Sequence, residues 1–171
     1  MTEATTSPRV GIVMGSDSDW PVMKAARAVL RELAVGSEVR VLSAHRTPLE
    51  ATAWVEGAPE RGIEVLIAGA GGAAHLPGVV AAATLLPVIG VPIANGPLQG
   101  IDALLAIVQM PKGIPVATVG VGRADNAGLL AAHILAGRDA ALAERLTAYR
   151  AAMRAKVLEA DRRLQDRLDE A

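Results

Sequence analysis

One pattern restricts this chain more than any other: short apolar runs alternate with longer amphipathic ones from Arg9 to Ala136. Val10–Met14, residues 38–42, residues 63–68, Val88–Ile93 and residues 116–121 have the length and composition of strands. Residues 19–33, 48–61, 74–84, 101–109 and 126–136 read as helices, the second interrupted near Gly57-Ala58-Pro59. Near-continuous apolar strands separated by helices predict a parallel sheet covered on both faces. Five such units are too few for an eight-unit barrel. The expected fold is α/β: a flavodoxin-like, doubly wound, five-stranded parallel sheet in three αβα layers over residues 9–137, with a C-terminal helical extension over residues 138–171.

Right-handed crossovers bring the carboxyl ends of all five strands to one edge, where such sheets bind ligands. The polar and glycine-rich segments obey that geometry. Strand one runs into Gly15-Ser16-Asp17-Ser18-Asp19, strand two into Ser43-Ala44-His45-Arg46, and strand three into Gly69-Ala70-Gly71-Gly72-Ala73-Ala74-His75. Strand four reaches Asn95-Gly96-Pro97 and strand five Gly120-Val121-Gly122-Arg123. The opposite edge shows little beyond linkers such as Arg61-Gly62 and Lys112-Gly113. This asymmetry predicts one composite active site.

The second loop carries the most chemistry. Histidine exchanges a proton near neutral pH, and arginine is a permanent cation whose planar fork suits phosphate or carboxylate. His45 beside Arg46 therefore suggests proton transfer on an anionic substrate. The plainer alternative is a pair of loop residues ahead of a capping box, Thr47-Pro48-Leu49-Glu50. In the first loop, backbone amides at a helix start favour phosphate, and Ser16 adds a hydroxyl. Asp19 is either an N-cap or a partner for sugar hydroxyls. His75 heads the third helix as a ligand contact or as a cap. His133, mid-helix among alanines and leucines, reads as a packed or surface residue. Gly69, Gly71 and Ala74 fit a loose G-x-G-x-x-A pattern, but it follows the third strand and no acidic residue closes the next one.

A net charge of −1 and an aromatic content of 2% argue against nucleic acid as a partner. The absence of cysteine excludes thiol catalysis and cysteine-held zinc. The longest apolar stretch, residues 79–94, is broken by Thr84, Pro87, Gly90 and Pro92 and is too short to span a bilayer. Residues 1–8 are polar without the apolar core of a signal peptide. They read as a disordered leader, and the protein is expected to be cytoplasmic, without membrane contact.

Three segments resemble the signatures of the PurE family of purine biosynthesis: Gly15-Ser16-Asp17-Ser18-Asp19-Trp20, Ser43-Ala44-His45-Arg46-Thr47-Pro48, and Ala68-Gly69-Ala70-Gly71-Gly72-Ala73-Ala74-His75-Leu76-Pro77-Gly78. Ile107-Val108-Gln109-Met110-Pro111 with Gly113-Ile114-Pro115-Val116 resembles a fourth. Arg46-Thr47-Pro48 looks like the bacterial-type mutases, whereas the direct carboxylases typically carry Lys-Gly-Pro there. The resemblance implies an N(5)-carboxyaminoimidazole ribonucleotide mutase of de novo purine (IMP) biosynthesis, acting on a phosphorylated aminoimidazole ribonucleotide. Its carboxylate moves from the exocyclic nitrogen to carbon 4 by decarboxylation and recapture of carbon dioxide. The same resemblance implies His45 as catalytic acid/base and Ser16, Asp19 and Arg46 as substrate-binding residues. Ser43 and His75 fall in matching segments, and no metal or organic cofactor is implied. The alternatives are direct carboxylation of aminoimidazole ribonucleotide, or a non-catalytic nucleotide-binding module on the same fold. Two segments depart from the family pattern. After strand four this chain reads Ala94-Asn95-Gly96-Pro97 where the family usually begins Gln-Ser, and Gly122-Arg123-Ala124-Asp125-Asn126 is shorter than usual.

Residues 138–171 contain no strand. Leu142, Leu146, Tyr149, Met153, Val157, Leu164 and Leu168 lie mostly three or four apart, giving one amphipathic helix or two with a break. A continuous helix of roughly 30 residues would be about 45 Å long. The preceding domain should measure roughly 36 Å across. Such a helix either breaks, near Asp161, or lays its apolar stripe on another copy. The resemblance implies the second: a homo-oligomer, an octamer with exchanged C-terminal segments.

Overall fold

A computed structural model describes residues 7–169; most of the leader expected over residues 1–8 lies outside the described residues. Strands β1 (Val10–Met14), β2 (Ser37–Val41), β3 (Val65–Gly71), β4 (Val88–Ile93) and β5 (Ala117–Thr118) form one parallel sheet in the order β2-β1-β3-β4-β5. The helices are α1 (Trp20–Glu32), α2 (Pro48–Glu56), α3 (His75–Ala82), α4 (Ile101–Val108), α5 (Ala124–Ala136) and α6 (Ala140–Asp169). This is the doubly wound sheet that the alternation predicts.

Successive strand residues point to opposite faces, so each strand serves two cores. Val10, Ile12 and Met14 of β1, with Ile89, Val91 and Ile93 of β4, pack under α1, α5 and the start of α6. Val13, Leu66, Ala68 and Val88 face α2, α3 and α4. Close approach replaces bulk in this phenylalanine-free interior. A Cβ at Gly128 of α5 would stand 2.8 Å from the Ala26 carbonyl oxygen of α1, so only glycine lets these two helices meet.

The interruption expected near Gly57-Ala58-Pro59 is present: α2 stops at Glu56 and a 3-10 turn, Pro59–Arg61, follows, closed by Gly62 at φ 84°. The departures from expectation have local causes. β3 runs on to Gly71, past the expected end at Ala68, so much of the glycine-rich segment is sheet. β5 is shorter than its apolar run. The carbonyls of Gly90 and Pro92 face it, accepting from Val119 and Gly122, but Pro92 has no N–H to return. α6 is a single unbroken helix of 30 residues, with Leu142 and Leu146 buried and residues 151–169 exposed throughout. The break considered near Asp161 does not occur. Among the described residues, no helix is long and apolar enough to cross a membrane.

Candidate active site

In this strand order the chain reverses direction across the sheet between β1 and β3, which opens a crevice at their carboxyl ends. The segments following β1, β2 and β4, with the end of β3 and the start of α3, enclose a cavity of about 370 Å³ there. That volume lies within the roughly 300–1,000 Å³ range of small-molecule sites. Ser16, Asp19, Ser43, His45, Arg46 and His75, the six residues singled out in the sequence, all line it.

The first loop resolves an ambiguity. Ser16, not Asp19, does the capping: its Oγ accepts from the Ser18 amide at 3.3 Å and from the Ser18 hydroxyl at 2.8 Å. Asp19 occupies the N-cap position of α1 but makes no capping bond with its side chain. It is nevertheless only 6% exposed. Burial raises the Asp19 carboxyl above its ordinary range, opposed by the Asn95 side chain, the Ser16 backbone and the Arg46 charge, while Asp17 adds to the rise. A carboxylate so placed is not a helix ornament.

The second loop is braced from inside. The expected capping box does not form, because Thr47 Oγ1 accepts from the Ser43 amide at 2.8 Å and makes no cap bond to α2. Ser43 Oγ in turn accepts from the His45 and Arg46 amides, at 3.3 and 3.2 Å, and from Arg46 Nε at 3.4 Å. Arg46 Nη2 donates to the Gly15 carbonyl at 2.7 Å and ties this loop to the first. Ser43 thus fixes the bend, and the guanidinium keeps further N–H donors for an anion.

From β3 the chain turns through Ala74 at φ 46°, a left-handed conformation that costs a residue with a side chain about 1–2 kcal/mol. The turn sets His75 as the first residue of α3. Its Nδ1 lies 2.8 Å from His45 Nε2, with the two rings perpendicular at 89°. His75 is therefore engaged with the other histidine, not with the helix end. A single hydrogen bridges the nitrogens, one ring donating and the other accepting.

Residues 9–156 match the family model described as AIR carboxylase. The chain belongs to the AIR carboxylase family. It is 58% identical, over 96% of its length and 95% of the relative's, to a Mycobacterium tuberculosis protein named N5-carboxyaminoimidazole ribonucleotide mutase. A Saccharomyces cerevisiae protein named phosphoribosylaminoimidazole carboxylase is 54% identical across 86% of this chain, a match that spans 26% of the yeast protein. The crystal structure of Treponema denticola PurE superposes with a TM-score of 0.84 at 28% identity, covering 92% of this chain and 98% of that one.

Within this AIR carboxylase fold, Asn95 also lines the cleft; the sequence placed it on the ligand-binding edge but gave it no role. It lies in a segment that departs from the family pattern, so the resemblance gave it no role. The available signal was its place immediately beyond a strand's carboxyl end. His133 is exposed on α5, 3.4 Å from Arg150, and does not line the cleft.

Proposed function

We propose that this protein is an N5-carboxyaminoimidazole ribonucleotide mutase, an isomerase of purine biosynthesis. One observation carries the reading. A cleft holding His45, His75, Asp19 and Arg46 occurs in a chain 58% identical, nearly end to end, to a protein of that name. Arg46 and the backbone amides after β1 take the phosphate, and Asp19 takes ribose hydroxyls. These remote contacts hold the imidazole ring against the histidines.

The reaction balances without an external reagent. The nitrogen–carbon bond of the carbamate breaks, carbon dioxide leaves, and the electron pair stays on nitrogen, which takes a proton. Carbon 4 then attacks the trapped carbon dioxide and loses its own proton. One proton is taken up and one released, so a single acid/base residue closes the cycle, and His45 fills that role. His75, bonded to it, fixes the tautomer and orientation of the imidazole. The glycine-rich end of β3 bounds the space in which carbon dioxide waits.

The yeast relative's name supports a second reading, direct carboxylation of aminoimidazole ribonucleotide. Purified protein incubated with the carbamate, and separately with the amine plus bicarbonate, distinguishes them. Rapid formation of the 4-carboxylate from the carbamate alone is expected; efficient turnover of the amine with bicarbonate overturns the mutase reading. The working form is a homo-oligomer, an octamer, in which residues 138–171 pack on a neighbouring subunit. The exposed apolar stripe of α6, with Met153, Val157, Leu164 and Leu168, supports this.

A further inference from the structure

The first loop has a second face. Ser16 and Ser18 line the catalytic cleft, whereas Asp17 lines a separate groove of about 610 Å³ between α1 and the outermost strand, β2. That volume, too, is of small-molecule size. One end of the groove is apolar. Met14 and Val41, paired in register at the carboxyl ends of β1 and β2, line it together with Trp20 at the head of α1. The other end is polar. α1 runs back antiparallel to the strands, so Arg27, seven residues after Trp20, lies about 10 Å further along the helix axis, towards Ser37 at the start of β2. Arg27 is exposed and has no carboxylate within ion-pair distance among the described residues. Arg40, on β2, reaches only Glu38, at 3.9 Å, and that carboxylate is already held by Trp54 and Arg61.

Two uncommitted guanidinium groups in one groove repel a cation and suit the oxygens of a phosphate. Trp20 offers an aromatic face to a planar ring. Asp17, at the aromatic end, can accept from an exocyclic amine. We propose that this groove is a second ligand site, for a purine nucleoside diphosphate, with the ring against Trp20 and the phosphates on Arg27 and Arg40. It is distinct from the catalytic cleft, with which it shares the first loop as a wall.

The test is calorimetric titration of ADP, and separately of pyrophosphate, into full-length wild type, Arg27→Ala/Arg40→Ala, Trp20→Leu, Trp20→Phe and Arg46→Ala. ADP should bind wild type saturably, with Kd below about 1 mM. Arg27→Ala/Arg40→Ala should weaken ADP and pyrophosphate alike, by about tenfold or more, the scale of a lost hydrogen bond to a charged group. Trp20→Leu should weaken ADP about tenfold, the scale of a lost stacking contact, and leave pyrophosphate unchanged. Trp20→Phe keeps a ring and should restore most of the ADP affinity. Arg46→Ala removes any ADP held by the catalytic cleft and should leave one per chain in the groove. Absence of saturable ADP binding overturns the proposal, as does ADP binding that Arg46→Ala abolishes and Arg27→Ala/Arg40→Ala spares. Pyrophosphate binding wild type as tightly as ADP overturns the nucleotide class. A change in sedimentation of Arg27→Ala/Arg40→Ala with an unaltered thermal midpoint assigns the groove to contact between copies, and also overturns it.

Discussion

His45 and His75 meet nitrogen to nitrogen at 2.8 Å from elements 30 residues apart in the chain, and both are exposed to the cleft. If His45 shuttles the ring proton, His45→Asn should keep substrate binding within a few-fold and lower kcat by at least about a hundredfold. Turnover within threefold of wild type would remove His45 from the chemistry. Asp19 has the opposite profile, because its burial works against folding. A carboxyl whose folded pKa is raised favours the folded state fully below its unfolded pKa, and that contribution is lost as pH rises through the raised value. At neutral pH the buried charge is therefore a liability that Asp19→Asn relieves. That variant should melt at the same or a higher temperature than wild type at pH 7, with the advantage shrinking towards pH 4. Its affinity for the ribonucleotide should fall about tenfold or more. A lower midpoint at pH 7 would contradict the account of Asp19 as a functional rather than a structural charge.

Strand β2 and helix α2 are joined by the loop that carries His45, and a single carboxylate braces them. Glu38 accepts from Trp54 Nε1 at 2.6 Å and from Arg61 Nε at 2.9 Å, while the Arg61 guanidinium lies 5.5 Å from the Trp54 ring. Desolvation pushes the Glu38 pKa up, but the Trp54 and Arg61 bonds outweigh it, and the net shift is downward. The stabilisation is then present above the unfolded pKa and lost as pH falls through the depressed folded value. Glu38→Gln should cost about 1–2 kcal/mol in urea unfolding at pH 7, and progressively less below pH 4.5. A deficit that persists undiminished at acid pH would assign the loss to packing. At this scale much was legible in advance. The strands betrayed themselves by buried, unalternating apolar runs, and their carboxyl ends by glycines and polar residues, so the six site residues could be placed on one edge. For Asp19 the residues alone left two readings open, cap or ligand contact, because an aspartate before a helix reads as a cap until Ser16 is seen to cap the preceding turn. The Thr47 capping box failed for the complementary reason: its hydroxyl found the Ser43 amide first. Pro92 shortened β5 through hydrogen bonding across strands, which no single run of residues reveals.

The whole molecule is asymmetric: a sheet domain filled on both faces, and one helix that outruns it. Leu142 and Leu146 anchor the start of α6 in the core beside α1 and α5, so cutting before them would damage folding and assembly together. A cut after Arg150 separates the two. The shortened chain should keep its far-ultraviolet spectrum per residue and its thermal midpoint within a few degrees, yet sediment as a smaller species than the full chain. Unchanged assembly after that cut would mean that the outer part of α6 holds no subunits together. Residues 151–169 also have a consequence for how the protein reports its own state. A helical segment draws most of its stability from tertiary packing, and this one has none within its own subunit. Its amides should therefore exchange with deuterium almost as fast as a coil's when the subunit is alone, while those of β1 and β3 stay protected for as long as the domain is folded. Dilution series followed by exchange mass spectrometry should find protection in this half-helix rising with protein concentration and sheet protection constant. The tail is in that sense a built-in gauge of association, readable without a label.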